Sequence, residues 1–258
     1  MKNFISKFGV FLIFILLLFH CNEKNQNKNG DVLEMQKKII NEEDQNIKDG
    51  KAVITYLSEK CNTNFNKPFY IQPDGQLKYF DCSTNPLSDD DVKYLAFFPG
   101  ITGIHITGGK VTDKALEYFK NFKNLNGISF YDTNVSGTGL QYFKESKKLT
   151  IIIFEGSPFT DEGCRYLSEI NFEKPINEAD FSSTKITDEG LKYLTKIKFN
   201  GELRLKNTKI TDAGLKHLVN QTELSELYLN NTKVTKEGIK WLKSQLPNLD
   251  VYTKDKDI

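Results

Sequence analysis

The hydrophobic positions of this chain recur with a fixed stride. From residue 80 onward, inward-type residues come in pairs two residues apart: Phe80 and Cys82, Ile104 and Ile106, Ile128 and Phe130, Ile152 and Phe154, Ala179 and Phe181, Leu203 and Leu205, Leu227 and Leu229. Alternation of this kind marks the inner side of a short strand. Each pair is followed by a further apolar position (Leu87, Val111, Val135, Phe159, Ile186, Ile210, Val234) and then by two more, such as Leu215 and Leu218, that share one face of a helix. The pattern therefore predicts one strand plus one helix per unit. A cap helix precedes the units. Val32, Leu33, Met35, Ile39, Ile40 and Ile47 are its first apolar positions, and Val53, Ile54 and Leu57 continue the spacing past a break at Asp49-Gly50. Pro68 and the Pro73-Asp74-Gly75 turn signal close this part, and Phe69-Tyr70-Ile71 reads as a short strand.

The polar positions repeat as well. The best copy is Lys209-Ile-Thr-Asp-Ala-Gly-Leu-Lys-His-Leu218, and equivalent segments begin at 86, 110, 134, 158, 185, 209 and 233. The spacing is 24 residues five times and 27 once, the signature of a stacked-repeat solenoid. The long unit holds three extra residues near Asn171 to Ile176, with Pro175 among them. They read as a loop insertion between helix and strand, with a binding bulge as the alternative. Thr or Asn just before each start can bond neighbouring backbone, and Ser/Thr-Asp offers a helix N-cap. Because Asp113, Asp161, Asp188 and Asp212 recur with the period, they read as structural caps rather than catalytic carboxylates. Gly163, Gly190, Gly214 and Gly238 let each helix approach closely.

The run Leu224-x-x-Leu227-x-Leu229-x-x-Thr232-x-Val234 is similar to the leucine-rich repeat pattern, with Thr where that family often has Asn or Cys. The continuation Thr-Asp-x-Gly-Leu-x-x-Leu resembles the ribonuclease-inhibitor-like and F-box-associated subtypes and their bacterial versions. The resemblance spans roughly 77–253. It implies an α/β leucine-rich repeat solenoid with a curved parallel sheet and a helical N-terminal cap. We divide the chain into a leader (1–20), a polar tether (21–30), the cap (31–76) and a repeat domain (77–258) of seven repeats plus a terminal partial strand. A charged tail follows Tyr252, and no separate C-terminal cap is visible.

The leader changes the expected setting. Lys2 and Lys7 flank an apolar run from Phe8 to Phe19, which is too short to span a bilayer but fits the core of an export signal. The usual small-residue cleavage site is missing, since the first Ala is Ala52. Instead Leu18-Phe19-His20-Cys21 resembles a bacterial lipobox of the looser kind found in spirochaetes, which implies lipidation of Cys21. The apolar-free stretch Asn22 to Gly30 would then serve as a flexible tether. The expected location is exported and lipid-anchored, with the outer membrane or cell surface favoured.

Composition adds little else. Net charge is +1, with 38% hydrophobic and 27% charged residues, an ordinary globular balance without electrostatic pull toward nucleic acid. The three histidines, His20, His105 and His217, lack metal-ligand spacing, and neither a Cys-x-x-Cys pair, a phosphate loop nor a nucleophile elbow occurs. No cofactor, metal or enzymatic activity is expected. Cys164 reads as a buried small hydrophobe. Cys61 and Cys82 lie close enough in sequence for a disulfide in an oxidising envelope.

What remains is the outward side of the strands. There the residues Tyr79, His105, Tyr131, Ile151, Ile153, Arg204 and Tyr228 suggest a protein-binding surface, with Ile151 and Ile153 beside Tyr131 as an exposed apolar-aromatic patch. A column of Glu178, Glu202 and Glu226 runs alongside Arg204 and Lys206. The expected function is a lipid-anchored protein-binding module acting through this concave face, and the alternative is an envelope scaffold without an external ligand.

Overall fold

The computed structural model describes residues 49–61, 69–71, 77–83 and 85–253. The leader with Cys21, the tether, the first part of the cap and the tail after Thr253 lie outside the described residues. Helix α1 (Gly50–Lys60) is followed by strands β1 (Phe69–Ile71) and β2 (Leu77–Cys82) and by α2 (Asp89–Val92). Then come β3 (Gly103–Thr107), α3 (Asp113–Glu117), β4 (Gly127–Tyr131), β5 (Ile151–Ile153), α4 (Asp161–Leu167), β6 (Ile176–Asp180), α5 (Asp188–Leu194), β7 (Phe199–Arg204), α6 (Asp212–Leu215), β8 (Glu226–Tyr228), α7 (Lys236–Gln245) and β9 (Asp250–Tyr252).

The nine strands form one sheet in chain order. β2 through β9 pair in parallel, each residue opposite its equivalent in the next repeat, as with Ile104↔Ile128 and Leu203↔Leu227. β1 is the exception, a cap strand that pairs antiparallel with β2. Strands stack about 4.8 Å apart, whereas a helix with its side chains is about 10 Å across. The helical layer needs more room per repeat than the sheet, so the stack bends with the strands on the inside of the curve.

The helical layer is not uniformly α-helical, contrary to the one-helix-per-repeat expectation. α2 runs on into a 3-10 turn (Lys93–Phe97), α6 into another (Lys216–Leu218), and the third repeat has only a 3-10 segment, Thr138–Phe143. In that repeat Gly137 stands where five of the others carry Asp. Its φ of 94° is left-handed, so a helix cannot begin there.

Every paired strand position from Phe80 to Leu229 is buried, as are the two helix positions from Val92 and Leu95 to Ile239 and Leu242. In the middle the core is aromatic: Phe154 stacks on Phe159 at 4.4 Å, and Phe130 and Phe181 flank Phe154 at 5.7 Å and 6.4 Å. Cys164 is buried and free. At the far end Trp241 is 38% exposed.

Two polar ladders lock the repeats together. After each of β3 to β8 one residue takes the left-handed conformation: Gly108, Asp132, Gly156, Ser183, Asn207 and Asn231 have φ between 51° and 72°. Asn and Asp tolerate that region better than other side-chain-bearing residues. Two of these bond across repeats, Asn231 Nδ2 donating to Asn207 Oδ1 (2.6 Å) and Asn207 Nδ2 to Ser183 Oγ (3.0 Å). The neighbouring Thr184, Thr208 and Thr232 hydroxyls donate to backbone carbonyls three residues back.

The second ladder is made by the recurrent aspartates, and it reaches further than a cap within one helix. Asp188 accepts from the backbone N–H (2.8 Å) and hydroxyl (2.6 Å) of Thr211 in the next repeat. Asp212 does the same to Thr235, Asp161 to Thr187, Asp113 to Ser136 and Asp89 to Thr112. The threonines in turn cap their own helices; Thr211 Oγ1, for example, accepts from Ala213 N. The glycine requirement follows from the same contact. A Cβ on Gly214 would lie 2.2 Å from Asp188 Oδ1, and one on Gly238 2.1 Å from Asp212 Oδ1. The ladder has one gap, at Gly137. There Thr160 bonds the Ser136 carbonyl instead, and the Phe159 ring fills the space, 2.5 Å from where a Gly137 Cβ would be. In the seventh repeat Lys236 occupies the aspartate position.

At the other end, α1 buries Val53 and Leu57 against the first repeat. Asp49 caps it, accepting from Ala52 N. Cys61 and Cys82 are joined by a disulfide, Cα atoms 5.3 Å apart. Beside it Asp91 takes hydrogen bonds from Tyr56 Oη, Ser88 N and Ser88 Oγ and an ion pair from Lys60 at 3.3 Å. Burial pushes the Asp91 carboxyl up, but these donors and the lysine charge outweigh it and hold the carboxyl below its usual range.

Candidate functional site: the concave sheet face

Because side chains alternate along a strand and the strands are in register, the outward residues form three columns across the sheet. The first runs Tyr79, Gly103, Gly127, Ile151, Glu178, Glu202, Glu226, Asp250. The second runs Asp81, His105, Ser129, Ile153, Asp180, Arg204, Tyr228, Tyr252. The third runs parallel to these through Thr107, Tyr131, Glu155, Ser182, Lys206 and Asn230.

Strands β2 to β5 carry mostly small, apolar and aromatic groups in the first two columns, Asp81 apart. The Tyr79 ring lies over Gly103, so close that a Cβ there would be 2.5 Å from the ring, and Ile151 lies over Gly127. His105 and Tyr131 rings are 5.2 Å apart, and His105 Nε2 is 3.2 Å from Thr107 Oγ1. Tyr79 is 42% exposed, while Ile151 and Tyr131 are half-buried. Ile153 departs from expectation: it is only 5% exposed and does not belong to an exposed patch. Its register neighbours Ser129 and Asp180 are themselves buried, so in the middle of the sheet an outward position is closed off by its neighbours.

From β6 onward the face is charged. Arg204 is the hub. Its guanidinium reaches Glu178 (3.4 Å), Asp180 (3.7 Å) and Glu202, and sits 5.3 Å above the Tyr228 ring. Lys206 lies over the same ring at 4.8 Å, and Tyr252 stacks on Tyr228 at 4.5 Å. Tyr228 donates its hydroxyl proton to Glu226, which pushes the phenol up to about 12. Asp180 is 3% exposed, with Oδ1 accepting from Ser182 N. Burial, and behind it the Asp180 charge, pushes the Glu155 carboxyl up. Burial also raises the Tyr131 phenol, with Asp180, Glu155 and Glu178 adding to the effect.

The sequence columns contained Asp180 and Tyr252 but gave no sign that the first is buried or that the second extends an aromatic stack. The aspartates of the convex-side ladder take no part in this face. The three-residue insertion stays outside it as well; it lies in the connection entering β6, where Glu173 N bonds the Lys147 carbonyl. Among the described residues, no group of three or more His, Cys, Asp or Glu side chains is placed to hold a metal ion. No helix of the described residues is long and apolar enough to cross a membrane.

The register, the curvature and the repeat chemistry together define a leucine-rich-repeat-like solenoid with an open concave sheet. Comparison with solved structures agrees. The chain is similar to internalin C2 from Listeria monocytogenes str. 4b F2365, with a TM-score of 0.53 and 16% identity over 80% of this chain and 86% of that one. At that identity the likeness is one of fold. No protein-family profile and no curated protein matches the chain.

Proposed function

We propose that this protein is a lipid-anchored binding module of the bacterial cell envelope that holds a protein partner on its concave face. The observation that carries the reading is the contrast between the ladders and the columns. The repeated polar residues are consumed in joining one repeat to the next, while the strand columns change residue by residue and present Tyr79, Tyr131, Ile151 and Tyr252 to solvent. Aromatic anchors of this kind suit protein interfaces, and a rigid repeat scaffold carrying variable residues suits recognition rather than catalysis. The disulfide supports an oxidising, exported setting, and the lipobox-like sequence ending at Cys21 supplies the anchor.

The test is envelope crosslinking followed by capture, with wild type compared against Tyr131→Ala and Ile151→Lys. Ile153→Lys is not used because it would bury a charge. Loss of the captured partner in both variants, with unchanged melting temperature, is the expected result. The Arg204 cluster, compensated by its own neighbours, is what a scaffold without a ligand would also show, and full retention of the partner in both variants would favour that second reading. Anchoring is tested separately: palmitate labelling and membrane fractionation should both be lost in Cys21→Ala.

A further inference from the structure

Charge is segregated on the concave face. The chain is nearly balanced, with 35 Lys and Arg against 34 Asp and Glu. Yet the outward columns from β5 to β9 hold Glu155, Glu178, Asp180, Glu202, Glu226 and Asp250 against Arg204 and Lys206 alone among the described residues. Four of these acids, Glu178, Glu202, Glu226 and Asp250, stand directly opposite one another in register, about 4.8 Å from strand to strand. Like charges so arranged are destabilising unless something offsets them. Arg204 offsets Glu178 and Glu202, and Lys206 is held over Tyr228. No described ion pair reaches Glu155, Glu226 or Asp250.

A second observation lies inside this cluster. Ser182 is 1% exposed, occupies the outward column between Glu155 and Lys206, and its hydroxyl has no hydrogen-bond partner. Buried hydroxyls are normally paired. Its own backbone N–H is taken by Asp180 Oδ1, so a buried carboxylate and an unsatisfied hydroxyl sit on the floor of the acidic region. Arg204 and Ser182 N already serve Asp180, which leaves the Ser182 hydroxyl as the open acceptor, and an ammonium or guanidinium supplies donors only.

We infer that the β5–β9 half of the concave face binds a basic, extended protein segment, whose Lys or Arg side chains pair with Glu155 and the glutamate column. The inference rests on the concave-face reading and gives it a partner chemistry. The aromatic stack of Tyr228 and Tyr252 closes the far end of the acidic column, where it provides a flat surface for the stems of long cationic side chains.

The experiment uses the full chain in detergent and a fluorescent peptide alternating Lys and Thr, with a Glu/Thr peptide of equal length as control. Wild type should bind the basic peptide and not the acidic one, and affinity should fall as salt rises. Glu178→Gln with Glu202→Gln should weaken binding at least tenfold, because it removes two acids and frees Arg204 to repel the ligand. Glu189→Gln with Glu237→Gln makes the same change in net charge on the convex side and should leave affinity within twofold. Equal weakening by both pairs, or equal binding of both peptides, overturns the inference. The envelope capture assay separates the two levels. A partner lost with Tyr131→Ala and Ile151→Lys but retained by the Glu178→Gln, Glu202→Gln pair overturns the basic partner alone. Retention in every variant overturns the concave-face reading too.

Discussion

The ladder and the concave columns are built on the same stride and behave in opposite ways. Along the ladder each aspartate meets the next repeat's threonine or serine hydroxyl, so the same chemistry from repeat to repeat is what the geometry requires. Along the columns each residue also meets its equivalent in the next strand, but the chemistry changes between β5 and β6 from glycine, tyrosine and isoleucine to carboxylates gathered around Arg204. The lesson is that periodicity marks what holds the solenoid together, and departures from it mark where specificity can reside.

Five substitutions or conditions would break or sharpen this contrast. The largest effect is expected at Gly214→Ala. Alanine normally improves a helix by about 1 kcal/mol over glycine, but here its Cβ would meet Asp188 Oδ1. We expect a loss of about 2–4 kcal/mol by denaturant unfolding, and a gain in stability would remove the ladder from the account. Next comes Gly137→Asp, which restores the repeat motif on paper. Its left-handed φ and the Phe159 ring oppose it, so the protein should lose about 1–3 kcal/mol; a higher melting temperature would mean that the gap is an accident.

Asp188→Asn removes a charged acceptor from Thr211 and should cost about 1.5–3 kcal/mol. Glu178→Gln on the columns should change stability by about 0.5 kcal/mol or less. Finding the two equal in thermal unfolding would erase the distinction between the two surfaces. The smallest effect concerns pH at the cap. The folded Asp91 carboxyl lies below its ordinary value, so its contribution is present above the unfolded carboxylate range and is lost as pH falls through the folded value. The melting-temperature gap between wild type and Asp91→Asn should therefore close on acidification; a gap constant from neutral pH down to strongly acidic pH would show that the charge is not what matters.

The fold was legible because apolar spacing and register are local arithmetic. Phe80 through Leu229 needed only a two-residue alternation and a common start, and all are buried. What escaped were relations between repeats. Nothing at Gly214 itself says that its missing Cβ makes room for a carboxylate 26 residues earlier. Ile153 was read as exposed because parity gives direction but not the height of the neighbours. The antiparallel β1 belongs to the cap, where the pattern supplies no repeat to compare, and the 3-10 segment at Thr138–Phe143 depends on the left-handed backbone of Gly137, which residue identity alone does not reveal.

The most direct test of the account is a photo-crosslinking scan in intact cells, with the reactive residue placed one position at a time at Tyr79, Tyr131, Ile151 and Tyr252 on the columns and at Glu189, Glu237 and Trp241 on the helical side. The account predicts that a common partner is captured from the column positions and not from the helical ones. Capture of the same partner from the helical positions, with none from the columns, would contradict it.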